Sequence, residues 1–152
     1  MKHPLVRSLA ALTAAAVATL ACAAVSLAAT NPYSSTPAVN DNVRFDGSAG
    51  GQTKAWAYPN QSSLEAYLRS TIDASFGSAS YEAYQSKMAQ VLARSLEFAN
   101  GTQAVVKRVA QFSYRDHQDL EVQIQITSGP VHAIVWTTPA ELVSAAGRRY
   151  LK

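Results

Sequence analysis

The sequence predicts an α+β protein in which an N-terminal helical hairpin is followed by a small antiparallel β-domain. Two periodicities carry that prediction. From Ser62 to Asn100 the apolar residues recur at helical spacing, and from Val105 to Thr137 they alternate. A third observation separates both from what precedes them. Residues 1–61 hold an alanine-rich apolar run and then a stretch rich in Ser, Asn, Gly and Pro.

The chain opens with a short basic start, Lys2 to Arg7, followed by an uncharged run from Leu9 to Leu27. That is the layout of a secretory signal peptide spanning residues 1–28. Ser26 and Ala28 supply the small residues for cleavage before Ala29. A membrane span wants ~20 strongly apolar residues, and this run is mostly alanine. Thr19-Leu20-Ala21-Cys22 also has the form of a lipoprotein box. The apolar run continues through Ala23-Ala24-Val25 where a lipidated chain would have a polar tether, which favours ordinary cleavage. The expected location is periplasmic or secreted, the alternative being a lipid anchor through Cys22. Membrane contact is expected only in that second case.

Removing 28 of the 152 residues leaves 124, enough for one domain. Lys2 and Arg7 are lost with them, so 11 of the 13 basic residues face 10 acidic ones. A net charge of +1 makes no electrostatic case for nucleic acid. The single cysteine leaves with the leader, so the mature chain would rest on its apolar core alone.

Residues 29–61 read as a flexible tether. Val43-Arg44-Phe45 and Ala55-Trp56-Ala57-Tyr58 are its only stretches suited to docking on a core. A single globular domain is expected over 62–152, divided into a helical hairpin at 62–100 and a β-domain at 101–152. Ser62-x-x-Glu65 has the form of a capping box. Leu64, Leu68, Ile72 and Phe76 then make one apolar helical face, with Tyr67 beside it, and Gly77 stops the helix. A second helix is predicted from near Ser80 to Ala99, ended by Asn100-Gly101. Strands follow through Val105 to Tyr114, and Arg115 to Gln118 forms a polar turn. In the next strand Leu120, Val122, Ile124 and Ile126 point one way and Glu121, Gln123, Gln125 and Thr127 the other. Ser128-Gly129-Pro130 turns the chain into a strand from Val131 to Thr137. Pro139 to Leu142 reads as a helical turn, and Arg148 to Lys152 as a basic tail or closing edge strand.

Asn100-Gly101-Thr102 leading into a valine strand, the long hairpin, the Ser-Gly-Pro turn and the Trp136 strand closing with Pro139-Ala140-Glu141-Leu142 carry a resemblance. Over about residues 100–151 the chain resembles exported bacterial SH3-like β-barrel proteins of uncharacterised function. In those, the tryptophan strand leads into a one-turn helix and a last short strand. The alternative is a helix packed on an open meander, as in cystatin-like or NTF2-like folds.

Candidate chemistry is sparse. His117, Asp119 and Glu121 would share one side of an extended segment, as metal ligands can. The plainer reading gives His117 and Asp119 to the turn and Glu121 to the solvent face, and it prevails because a fourth ligand is missing. His132 reads as a polar-face residue. The mature chain has no cysteine, no Gly-x-Ser-x-Gly elbow and no HExxH. No catalytic residue, metal or cofactor is therefore expected, and the chain is read as a non-enzyme. Binding remains: Phe112, Tyr114, Trp136 and Pro139 are the candidate groove residues. Their plainer role is core, favoured for Trp136 because Ile134 on the same side is apolar. The expected role is binding of an envelope protein or peptidoglycan component. A periplasmic inhibitor or immunity protein is the alternative, and a small envelope hydrolase the alternative of another class.

Overall fold

A computed structural model describes residues 33–77, 80–129, 132–150 and 152. The leader, the Ala29 cleavage point and Cys22 lie outside the described residues, as do Pro130 and Val131 of the third turn. Among the described residues no helix is long and apolar enough to cross a membrane.

The architecture is α+β, with two helices and seven strands in the described residues. In chain order these are β1 (Asn42–Phe45), β2 (Lys54–Ala57), α1 (Gln61–Ser75), α2 (Tyr81–Leu92), β3 (Leu96–Ala99), β4 (Gln103–Tyr114), β5 (His117–Ile126), β6 (Ile134–Thr137) and β7 (Leu142–Ser144). One-turn 3₁₀ helices precede β2 at Gly47–Gly50 and β7 at Pro139–Glu141. Five strands form one antiparallel sheet in the order β6-β5-β4-β1-β7, and β2 pairs with β3 in a second. A bridge between Tyr58 and Trp136 ties the two sheets. The described strands do not close into a barrel.

The predicted tether is the first correction. Residues 42–45 and 54–57 are strands, and β1 lies inside the sheet between β4 and β7. Phe45 is fully buried and stacks on Phe98, ring centroids 4.7 Å apart and 2° from parallel. Composition hid this because only four residues of each stretch are extended, embedded among turn formers. Consequently the helical hairpin does not precede the β-domain. It is inserted after the first two strands.

The second helix is also shorter than its period suggests. It starts at the expected cap, where Ser80 Oγ accepts from Ala83 N, but ends at Leu92. Leu96–Ala99 pairs with β2 instead, with Phe98 opposite Ala55 and its ring stacked on Phe45 of the other sheet. A tertiary contact overrides a helical pattern there. The first helix is capped two residues early: Asn60 Oδ1 accepts from Ser63 N (2.9 Å), and Glu65 pairs with Arg69 at 3.5 Å instead of returning to the cap. Gly77 takes the left-handed φ of +64° expected of it.

The five-stranded sheet is covered on both faces. Val43, Phe45, Ala104, Val106, Val122, Ile124, Ile126, Val135 and Leu142 pack with Ala55 and Ala57 on one side. Phe112 and Trp136 pack under Leu64, Leu68 and Val91 of the helices on the other. A bulge in β4 makes this pattern possible. The register slips between Val106 and Arg108, so the face of Ala104 and Val106 continues at Val109, while Ala110 and Phe112 turn to the helices.

Candidate functional site

Trp136 does not keep company with Ile134. Ile134 is 52% exposed, whereas Trp136 is 6% exposed and lies opposite Gln123, on the helix-covered face. Val135 takes the other core, opposite Ile124. Phe112 is buried with Trp136, and Tyr114 packs beside them. Tyr114 Oη donates to Asp73 Oδ1 at 3.1 Å, with the Arg69 guanidinium 4.8 Å from its ring centroid. Pro139 is fully buried. The four expected groove residues thus form no groove: Phe112 and Trp136 lie inside the helix-side core, Tyr114 packs against it half-buried, and Pro139 is sealed at the start of its 3₁₀ turn. Burial of the sheet's second face, which alternation could not reveal, is the reason.

His117, Asp119 and Glu121 do share a face of β5, opposite Tyr114, Phe112 and Ala110. Each has a different engagement. The His117 ring meets Phe76 edge-on at 5.4 Å. Asp119 accepts from Tyr33 Oη (2.6 Å) and from Lys152 Nζ (2.5 Å). Glu121, expected on a solvent face, is 1% exposed. Its Oε2 accepts from Gln61 Nε2 at 2.6 Å, while Oε1 has no partner. Burial raises its carboxyl to about 7. Among the described residues no three His, Cys, Asp or Glu side chains are grouped to hold a metal ion.

A concave site lies elsewhere, between α1, the end of β2 and the 3₁₀ turn before β7. It is a cavity of about 460 Å³. Its floor is built by backbone pairing at a strand end. Tyr58 N donates to Trp136 O (2.7 Å) and Trp136 N to Tyr58 O (2.8 Å). Thr137 Oγ1 donates to Trp56 O (2.7 Å), and Trp56 N donates to Glu141 Oε2 (2.9 Å). The helix contributes Leu64, Leu68 and Tyr67, whose ring lies 5.5 Å from that of Tyr58. Tyr33, Tyr150, Asp119 and Lys152 complete the rim.

Two features set the chemistry of this cavity. Aromatic rings dominate its wall, each with an apolar face and a polar tip. Burial pushes the Tyr33, Tyr58 and Tyr67 hydroxyls above the usual phenol range, so they act as neutral donors and acceptors. The second feature is acidity. Burial raises the Glu141 carboxyl above the ordinary range, opposed by the Trp56 N–H it accepts. Asp119 stands at the rim, held between a phenol and an ammonium.

None of these lining residues belongs to the predicted groove set, and the sequence marks Asp119 only as a candidate metal ligand. Trp56 and Tyr58 occupied a stretch already marked as able to dock, and Tyr67 flanked the apolar helical face. Glu141 and Lys152 gave no local signal, because only the fold brings a 3₁₀ turn and the far end of the chain to one cavity. No protein-family model, no curated protein and no solved structure matches this chain.

Proposed function

We propose that the protein is an exported, non-enzymatic binding protein of the cell envelope, and that the cavity beneath α1 takes a small cell-wall component. The observation that carries this reading is the cavity's lining: Trp56, Tyr58 and Tyr67 beside Glu141, in about 460 Å³. Pockets of this size with a few polar groups among apolar walls are the usual form of small-ligand sites. Ring faces suit the C–H faces of a sugar, and the carboxylate and phenols suit its hydroxyls. A cavity of this kind favours a compact saccharide over an extended protein segment. The leader-like residues 1–28 supply the argument for the envelope.

The strand order β7-β1-β4-β5-β6, with a 3₁₀ turn between the tryptophan strand and the last, supports an SH3-like origin for the β-domain. On that reading β2, both helices and β3 are an insertion between its first two strands, and the inserted elements form one wall of the cavity.

Titration of the full chain with peptidoglycan-derived saccharides, followed by tyrosine and tryptophan signals, tests the assignment. Saturable binding abolished by Tyr67→Ala is expected; saccharides that leave the spectrum unchanged would refute it. Two carboxylates in one cavity are the observation that favours the small hydrolase instead. Release of new reducing ends during that titration, lost in Glu141→Gln, would establish turnover.

A further inference from the structure

The cavity already shows how it treats a positive charge. Lys152 Nζ sits 5.4 Å from the centroid of the Tyr33 ring and 2.5 Å from Asp119 Oδ2. An ammonium is held at the rim between a ring face and a carboxylate, the arrangement that recognises organic cations. The floor repeats the ingredients without the cation. Glu141 lies among Trp56, Tyr58 and Tyr67, and its described partner there is a neutral backbone N–H. Lys152 is the one basic residue among the described lining residues, and Asp119 engages it. A carboxylate withdrawn from water with no cation near it gains when one arrives, because the local dielectric is low.

From this juxtaposition we infer that the cavity selects a ligand bearing a free primary ammonium, seated between Glu141 and the Tyr58 and Tyr67 rings. Within the saccharide reading, on which the inference rests, the ligand is an amino sugar with an unacylated nitrogen. An N-acetylated sugar would present an uncharged amide and forgo the charge interaction. A neutral sugar would present only a hydroxyl.

The test compares glucosamine, N-acetylglucosamine, glucose and 1,5-diaminopentane on the full chain by NMR titration, with Glu141→Gln alongside. The amide oxygen that Glu141→Gln introduces can still accept from Trp56 N, so the variant keeps that bond of the floor. Glucosamine is expected to bind about tenfold or more tightly than either neutral sugar, with Glu141→Gln removing the preference. Should the variant unfold, the ranking of the probes on the unaltered chain decides alone. Equal affinity for the three sugars would overturn the ammonium inference and leave the saccharide site standing. Diamine binding without any sugar binding would keep the ammonium inference and remove the saccharide reading. Silence from all four probes would overturn both.

Discussion

Gln61 Nε2 donates to Glu121 Oε2 at 2.6 Å, joining the first residue of α1 to the middle of β5. The bond sits over a carboxyl whose other oxygen has no partner, and burial favours that carboxyl's neutral form. The Gln61 bond, stronger to the ionised form, opposes this only in part. Glu65 and Arg69 on α1 and Asp119 on β5 complete its charged surroundings.

Stability should therefore fall as pH rises through this group. The carboxyl moves from 4.5 to about 7 on folding, so the folded protein holds a proton that the unfolded chain releases between those values. The contribution is fully present below about pH 4.5 and is lost as pH climbs through 7. Its size is on the order of 3 kcal/mol. Urea melts at pH 5 and pH 8 should show the native protein losing stability that Glu121→Gln retains. Parallel pH profiles for the two would refute it.

Phe45 belongs to the core, so truncating the arm is expected to be costly. Phe45→Ala removes a fully buried ring stacked on Phe98 and should cost ~3–5 kcal/mol, a large part of a small domain's stability. Deleting residues 33–57 would also remove β1 from between β4 and β7, and such a chain should not fold. A cooperative melt from that deletion near the full-length midpoint would show β1 to be dispensable.

Trp136 and Tyr114 separate core from periphery. Trp136→Ala opens a void under Leu64 and Leu68 and unsettles the strand end that forms the cavity floor, at ~3–5 kcal/mol. Tyr114→Ala, at a half-buried site, should cost less. Thermal unfolding of both ranks them, and the reverse order would mean that the helices do not seal Trp136.

Legibility followed distance along the chain. The Ser80 cap of α2, the long β4–β5 hairpin and the 3₁₀ turn at Pro139 were readable, because caps, alternation and proline act within a few residues. What escaped depended on partners far away. β1 and β3 are four-residue strands made by pairing, and Phe98, opposite Ala55, is fixed by stacking on Phe45 of the other sheet. Glu121 shows the same limit at the site level. Alternation placed it on a polar face, and α1 then covered that face. The cavity was the least legible feature, since its lining comes from the arm, α1, β5, the 3₁₀ turn and the last residues.

Gly47 offers a steric test of how the arm meets β2. A Cβ placed there would lie 2.0 Å from the Lys54 carbonyl oxygen, and backbone cannot move aside as a side chain can. Gly47→Ala should destabilise by roughly 1–3 kcal/mol, as overpacking does. Gly50→Ala, whose Cβ would meet only the Gln52 side chain at 3.7 Å, is the control and should be near neutral. Equal melting temperatures for the two would place the 3₁₀ turn away from β2.

The bulge in β4 makes the sharpest demand on the topology. Val106 pairs with Ile124, and Arg108, not Lys107, pairs with Gln123, so Lys107 is the extra residue. Deleting Lys107 leaves every remaining pair in register and every side chain on its present face, and only the local bend is lost. Deleting Gln111, four residues on and also exposed, has no such escape. Either residues 112–114 change face and withdraw Phe112 from the helices, or the bulge is consumed and Arg108 enters the core position of Val109. The first loses a buried aromatic ring; the second buries an unpaired guanidinium among valines and isoleucines. Removal of Lys107 should therefore cost about 1–2 kcal/mol, and removal of Gln111 at least the ~3–5 kcal/mol of a lost buried aromatic ring, a large part of what holds a small domain together. Circular dichroism and chemical denaturation of the two deletions read the difference directly. A folded Gln111 deletion beside an unfolded Lys107 deletion would mean that β4 and β5 pair in another register.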